Sequence, residues 1–278
     1  MNNAREILSN QDGPFTDLEK LVRKYSATEY KRPIADHTRN AFADAEQFIE
    51  DFYTKESTQS GVTSCGTPQP VILDSGCGTG ESTQHLARRF PDYPVIGIDK
   101  SAIRLDKAGK AFDTAQSRGI EARNGDAQQE APKNIFYVRA ELIDFWRLAL
   151  NKVTNKQWVI PYHALYYPNP WPKQSEAGRR FHLHPIFPTL LQLAQETELR
   201  TNWEIYAQEF AQAARIIKEI PGHTSTSLST GAGDDNVVAK SVSCEAFEPE
   251  QPITAFERKY KNACQQLWQV IIVNSQKD

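Results

Sequence analysis

Apolar positions in residues 36–52 fall at Phe42, Ala45, Phe48, Ile49 and Phe52, the three- and four-residue spacing of one helical face. They predict an amphipathic helix that begins after Pro33 with Asp36 as its cap. Upstream, "VRKYSATEYKRP" is a basic and aromatic lead-in, while residues 54–70, "TKESTQSGVTSCGTPQP", have the polar, turn-forming composition of a linker. From Val71 the pattern changes. Short apolar runs, "VILDSG", "VIGID", "IFYVRA" and "WVIPYHALYYP", alternate with helical stretches from Glu81, from Ser101 and around "IDFWRLAL". Such alternation predicts βαβ units and an α/β fold, a mostly parallel central sheet with helices on both faces. Residues 119–134 read as a long polar connection. After Pro185 the pattern predicts a helix at "IFPTLLQLA", a strand at "ELRT", a helix at "NWEIYAQEFAQAARII", and strands at "STSLST" and "WQVIIVN" that close the sheet. "GAGDDN" at 231–236 reads as a turn or mobile loop. The expected division is a helical extension and linker over residues 1–70 and one main domain over 71–278.

Composition narrows the classes. The chain of 278 residues is long enough for one large core, and 39% hydrophobic with 24% charged residues is ordinary globular usage. No apolar run approaches the roughly 20 residues of a membrane span, and "MNNAREILSNQDGPF" lacks the parts of a secretory signal. A cytoplasmic protein with no membrane partner is expected. Four separated cysteines, Cys65, Cys77, Cys244 and Cys264, form no CxxC pair and predict reduced thiols. His182 and His184 have no third ligand nearby, so they read as capping or core residues and no metal site is expected. A net charge of −3 means that any nucleic-acid binding must use a local basic patch.

The candidate chemistry starts at "VILDSGCGTGES". Gly76, Gly78 and Gly80 lie between an apolar strand and a helix, where small residues let the backbone approach a ligand. Asp99 ends the next strand, nineteen positions after Gly80, where a carboxylate can accept from both hydroxyls of a ribose. The loop is GxGxG preceded by Asp74, not the GxGxxG of dinucleotide sites. A carboxylate there would repel a pyrophosphate and attract an ammonium, which suits the methionyl end of S-adenosylmethionine.

This stretch resembles the first motif of class I S-adenosylmethionine-dependent methyltransferases. The resemblance implies a Rossmann-like fold with an antiparallel last strand, preceded here by an N-terminal helical extension. It also implies S-adenosylmethionine as cofactor, with Asp74, Gly76, Gly78, Gly80, Asp99, Lys100, Ala140 and Glu141 around it. For Glu141 a solvated helix-start carboxylate is the other reading. Further on, "YYPNPWPKQSEAGRRFHLHPIF", "LRTNWEIYAQEF" and "ITAFERKYKN" occur in that order. They are similar to the strand-ending P-D-P-W-P-K, the T-D-W-E-x-Y and the T-x-F-E segments of the TrmB-like tRNA (guanine-N7) methyltransferase family. The family's pattern implies substrate contacts at Lys173, Asn202, Glu204 and Thr254, Phe256 and Glu257. Arg179 and Arg180 would hold phosphates or stand solvated, and Trp171 would stack on an unpaired base or pack its loop onto the sheet.

Asn169 and Asn202 stand where the family has aspartates, so two carboxylates are lost. The basic cluster is also thinned to "QSEAGRR". Methylation of guanine N7 needs no general base, because that nitrogen carries a lone pair and no proton. In-line positioning and stabilisation of the developing positive charge remain. Asn169 followed by Pro170 and Trp171 is also similar, in part, to the N-P-P-Y signature of methyltransferases acting on planar amino nitrogens. Asn169 is therefore the expected catalytic residue, held by fixed proline dihedrals. The leading expectation is N-methylation of a purine ring nitrogen in tRNA or another RNA. The alternatives are a paralogue acting on a small aromatic or heterocyclic metabolite and a non-catalytic S-adenosylmethionine-binding partner protein. A monomer or homodimer is expected.

Overall fold

The structure, a computed structural model, describes residues 7–60, 66–118, 132–220 and 238–275. In chain order the elements are α1 (Leu18–Ser26), α2 (Asp36–Ser60), β1 (Gln69–Pro70), β2 (Ile72–Ser75), α3 (Glu81–Arg89), β3 (Val95–Asp99), α4 (Ala102–Arg118), β4 (Ile135–Arg139), α5 (Leu142–Thr154), β5 (Trp158–Val159), β6 (Tyr162–Tyr166), α6 (Phe187–Gln192), β7 (Glu196–Thr201), α7 (Glu204–Glu219), β8 (Val238–Phe247), α8 (Ala255–Asn262) and β9 (Leu267–Ser275). Two short 3-10 turns, Gln174–Arg179 and Phe181–Leu183, lie between β6 and α6. The strand set is mostly parallel with helices around it, as the α/β pattern predicts, and its last strand is antiparallel, as the resemblance implies. Contacts divide the chain into one compact unit of residues 34–160 and another of residues 1–33 with 161–278.

In the unit of residues 34–160, β3 pairs in parallel with β2 on one side and β4 on the other. Val71, Ile72, Leu73, Val95, Ile96 and Ile98 are buried, the continuous apolar runs of strands covered on both faces. The predicted face of α2 is buried through Phe42, Ala45 and Ile49, with Phe42 edge-on to Phe145 at 4.9 Å. Asn134, just before β4, donates its amide to the carbonyls of Ala87, Phe90 and Tyr93. It thereby supplies partners around the C-terminal end of α3, where carbonyls lack helical donors.

Residues 54–60, expected as linker, instead continue α2. Thr54 and Thr58 donate their hydroxyls one turn back, to the carbonyls of Glu50 and Thr54, so these polar residues follow the helix without leaving it. Gln69 and Pro70 then pair in parallel with Trp158 and Val159. The single strand expected at "WVIPYHALYYP" is two, broken at Ile160–Pro161, because proline offers no N–H to a ladder.

In the unit of residues 1–33 and 161–278, β6 and β7 are parallel and β9 runs antiparallel to both β7 and β8. α7 buries Tyr206, Ala207, Phe210, Ala211, Ala213, Ala214 and Ile216 and packs against α1, which buries Leu18 and Val22. The partner found for β9 is Val238–Phe247, whose mixture of small, polar and charged residues gave no clear strand signal. It ends the strand order and leaves most of Ser241–Ala246 at least partly exposed, so alternation there is weakly enforced. The strand expected at 225–230, the loop at 231–236, Cys65 and most of the connection at 119–134 lie outside the described residues. No described helix is long and apolar enough to cross a membrane.

Candidate methyl-transfer site

The glycine loop sits at the carboxyl end of β2, beside the ends of β3 and β4, where open α/β sheets bind ligands. Gly76 and Cys77 both donate their N–H to the carbonyl of Ile98, at 2.7 and 3.0 Å, which turns the chain sharply out of the strand. Gly76, Gly78 and Gly80 have φ of 81°, 58° and 81°, the left-handed region that side chains disfavour. Their steric reasons differ. A Cβ on Gly80 would lie 2.4 Å from Tyr137 Oη and 2.9 Å from Ala108 Cβ, whereas one on Gly76 would meet nothing within 4 Å. Gly80 is demanded by packing; Gly76 leaves open space above the loop.

Asp99, nearly buried, accepts the Gly78 N–H on Oδ2 at 3.1 Å and the Ser101 N–H on Oδ1 at 2.7 Å, with Arg104 Nη1 3.6 Å away. A carboxylate has about four acceptor positions, so it braces the loop and retains acceptor capacity. Asp74 is buried, and its Oδ2 takes the hydroxyls of Ser82 and Thr83 at 2.7 and 2.6 Å. Burial pushes its carboxyl up to about 6, the Thr83 and Ser82 bonds pull against that, and the Asp99 charge adds to it. Ala140 is buried and donates its N–H to the Asp99 carbonyl at 3.3 Å. Glu141 is exposed at the start of α5, with its N–H 3.4 Å from Thr38 Oγ1, and Lys100 is exposed. The cofactor-side residues inferred from sequence thus converge at three adjacent strand ends.

The second group belongs to the other unit. Tyr167 and Trp171 have φ of 51° and 45°, left-handed values that are strained for large side chains, so the surroundings must hold them. Tyr167 donates its N–H to the Arg200 carbonyl at 2.7 Å and its hydroxyl to Glu257 Oε1 at 3.1 Å. The Trp171 N–H meets Asn169 Oδ1 at 3.3 Å, and its carbonyl accepts from Arg180 Nε and Nη2 at 3.3 and 2.9 Å. A backbone N–H can pair only with the amide oxygen, so this contact leaves the NH2 of the exposed Asn169 uncommitted. Arg179 lies over the Trp171 ring, 4.4 Å from its centroid, and also pairs with Glu176. Lys173 is exposed ahead of the first 3-10 turn. Asn202 Nδ2 reaches Gln265 Oε1 at 3.5 Å, and the exposed Glu204 accepts from Gln208 at 2.9 Å.

Arg180 does not fit the phosphate role. It is wholly buried, and all five of its N–H donors have partners: Trp171 O twice, Glu209 Oε1 and Oε2, and Gln11 Oε1. Thr254 and Glu257 form a capping arrangement on α8. Thr254 Oγ1 accepts the Glu257 N–H at 3.0 Å while Glu257 Oε2 accepts the Ile253 N–H at 2.8 Å. Glu257 Oε1 also takes Arg200 Nη1 at 2.8 Å, so this carboxylate is structurally engaged. Phe256 is half exposed in a loose aromatic group with Tyr167 and Tyr260. His182 is a core residue bonded to Glu209, and the His184 ring nitrogen accepts the Ile186 N–H at 3.1 Å. Among the described residues no cluster of His, Cys, Asp or Glu is arranged for a metal ion.

Sequence reasoning missed Glu209, Gln11 and Ser9. A signal for Glu209 existed: it is a charge on the apolar face of α7, between Tyr206 and Phe210, and such a charge requires a buried partner. Gln11 and Ser9 left no comparable mark, because short polar residues in an irregular segment are unremarkable locally.

A family described as "Putative methyltransferase" matches residues 68–270. The tRNA (guanine-N(7)-)-methyltransferase of Chromohalobacter salexigens is 26% identical over 223 residues, covering 78% of this chain and 76% of that protein. The tRNA (guanine-N(7)-)-methyltransferase of Streptomyces avermitilis is 28% identical over 155 residues, 52% of this chain and 44% of that protein. A trans-aconitate 2-methyltransferase of Deinococcus radiodurans is 44% identical over 62 residues, 22% of each chain. With the family matching most of its length, the chain belongs to this methyltransferase family, as a divergent TrmB-like member.

Proposed function

We propose that the protein is an S-adenosylmethionine-dependent N-methyltransferase, similar to the tRNA (guanine-N7) enzymes, acting on a ring nitrogen of a purine in RNA. On this reading residues 71–278 are the catalytic domain, residues 1–70 its extension, and tRNA the partner. The observation that carries it is the glycine loop, with open space at Gly76 and a braced Asp99 beside it. These residues fit the cofactor: Asp99 would accept ribose hydroxyls on its remaining lone pairs. Asp74 would add negative potential on the side of the amino acid moiety, and Ala140 and Glu141 would border the adenine. When bound, S-adenosylmethionine supplies an electrophilic methyl group on a sulfonium.

The chain's own task is then orientation. A purine ring nitrogen has a lone pair in the neutral base, so no side chain has to remove a proton before it attacks. Asn169 would orient the acceptor base through its amide NH2, which the Trp171 contact does not use, Trp171 would offer a stacking face stiffened by Arg179, and Lys173 would approach the phosphate backbone. To test this, the protein is incubated with methyl-labelled S-adenosylmethionine and bulk tRNA, and the RNA is digested to nucleosides. A labelled 7-methylguanosine is expected; bound cofactor with no methylated purine would overturn the RNA reading.

A second reading, methylation of a small aromatic heterocycle, is favoured by one observation. Arg180 is withdrawn into the interior, leaving Lys173 and Arg179 as the exposed cations of residues 173–180. Salt separates the two readings, since RNA affinity falls steeply with ionic strength and that of a neutral heterocycle does not.

A further inference from the structure

Residues 9–15, far from the strand ends in sequence, are bonded to the loop that follows β6. Ser9 Oγ donates to the Pro172 carbonyl at 2.8 Å and accepts the Gln11 N–H at 3.1 Å. Gln11, almost fully buried, uses both ends of its amide. Its Nε2 donates to the Gly13 carbonyl and to Glu209 Oε1 at 2.7 and 2.6 Å, and its Oε1 accepts Arg180 Nη2 at 3.0 Å. The Phe15 N–H adds a bond to Glu209 Oε1 at 2.7 Å. Arg180 then carries the connection to the Trp171 carbonyl.

Trp171 is where such a connection matters. Its φ of 45° persists only if both sides of the residue are held, and they are: the N–H by Asn169 and the carbonyl by Arg180. Releasing the carbonyl lets the residue relax toward ordinary backbone angles, and the contact that fixes the Asn169 amide goes with it. We infer that residues 9–15 are a positioning element of the methyl-transfer site. Ser9, bonded directly to the Pro172 carbonyl, and Gln11, acting through the buried Arg180 and Glu209, set the geometry of Asn169 and Trp171. The inference rests on the proposed function insofar as that loop receives the acceptor.

The test uses the full chain with Ser9→Ala, Ser9→Thr and Gln11→Ala. Hydrogen exchange is followed over residues 167–181, together with cofactor affinity and transfer kinetics. Ser9 is exposed, so its variants keep the fold even if Gln11→Ala does not. Expected are exchange in this segment faster by several-fold in Ser9→Ala and Gln11→Ala, kcat lower by about tenfold, cofactor affinity unchanged, and both properties restored in Ser9→Thr. Unchanged exchange in Ser9→Ala, or a kcat loss that Ser9→Thr shares, overturns the inference. If the wild-type protein methylates no acceptor, the functional reading falls, while exchange alone still decides whether residues 9–15 hold the loop.

Discussion

Arg180 donates through Nη1 to both carboxylate oxygens of Glu209, at 2.9 and 2.7 Å, with both side chains wholly buried. His182 Nε2 meets the same carboxylate at 2.7 Å, so one buried anion joins the second 3-10 turn to α7. Removing either partner of such a pair strands the other charge away from water, which costs about 3–5 kcal/mol. Glu209→Leu or Arg180→Met is expected to lower stability by this amount. The double variant Arg180→Met with Glu209→Leu should lose much less than the sum of its single changes. Urea unfolding of the four proteins measures the difference, and simple additivity would contradict the pairing.

The carboxylates of the two units should respond to acid in opposite directions. Burial alone would raise Glu209, but the hydrogen bond and charge of His182 and the charge of Arg180 outweigh it and hold it low. Its contribution is present above the unfolded value of 4.5 and is lost as pH falls through the lower folded value. His182 is lowered chiefly by burial, so the unfolded chain takes a proton below 6.5 that the folded one resists, and acid again destabilises. Asp74 is raised from 3.8 to about 6, so the folded state binds a proton first and acid stabilises across that window. Asp74→Asn keeps an oxygen for Ser82 and Thr83. Its stability gain over the wild type should be largest above pH 6 and vanish near 3.8, read from denaturation midpoints across that range.

The glycines of the loop after β2 should separate by mechanism. Gly76→Ala meets no atom and carries only the left-handed backbone penalty of about 1–2 kcal/mol. Gly80→Ala adds contacts under 3 Å with Tyr137 and Ala108, so it should unfold at clearly lower temperature. Calorimetric melting with cofactor titration distinguishes them: Gly76→Ala should lose cofactor affinity beyond its change in stability.

Asn169→Asp keeps the acceptor for the Trp171 N–H and exchanges an amide donor for a charged acceptor. Charge-assisted bonds are roughly twice as strong as neutral ones, so on the RNA reading 7-methylguanosine formation should rise about tenfold, or ~1.4 kcal/mol. A fall of similar size would move support to the small-heterocycle reading.

Adjacent arginines should behave differently toward RNA. Arg179→Ala and Lys173→Ala should each reduce the salt slope of tRNA affinity by about one. Arg180→Met, whose guanidinium has no donor left for phosphate, should leave that slope unchanged while lowering stability. Titrations at several salt concentrations check both.

Strand-loop-helix order, the three glycines, Asp99 and the buried face of α2 were all legible in the sequence. Each is a local pattern, a spacing or a conformational demand that a few neighbouring residues express. β8 and α8 were less legible. β8 ends the strand order with little alternation to mark it, and α8 is short, so its Thr254 and Glu257 capping pattern read as pocket residues instead.

What the sequence determined by itself was therefore the α/β framework, the glycine loop after β2 and the kinship of the segment after β6. Only the tertiary structure separated Arg179 from Arg180. One lies over Trp171 in the open, and the other is enclosed by Glu209 and by Gln11, which is 169 positions away. Periodicity and spacing act along the chain and can be read there, whereas the role of a charge depends on the partners and burial that folding brings to it from elsewhere.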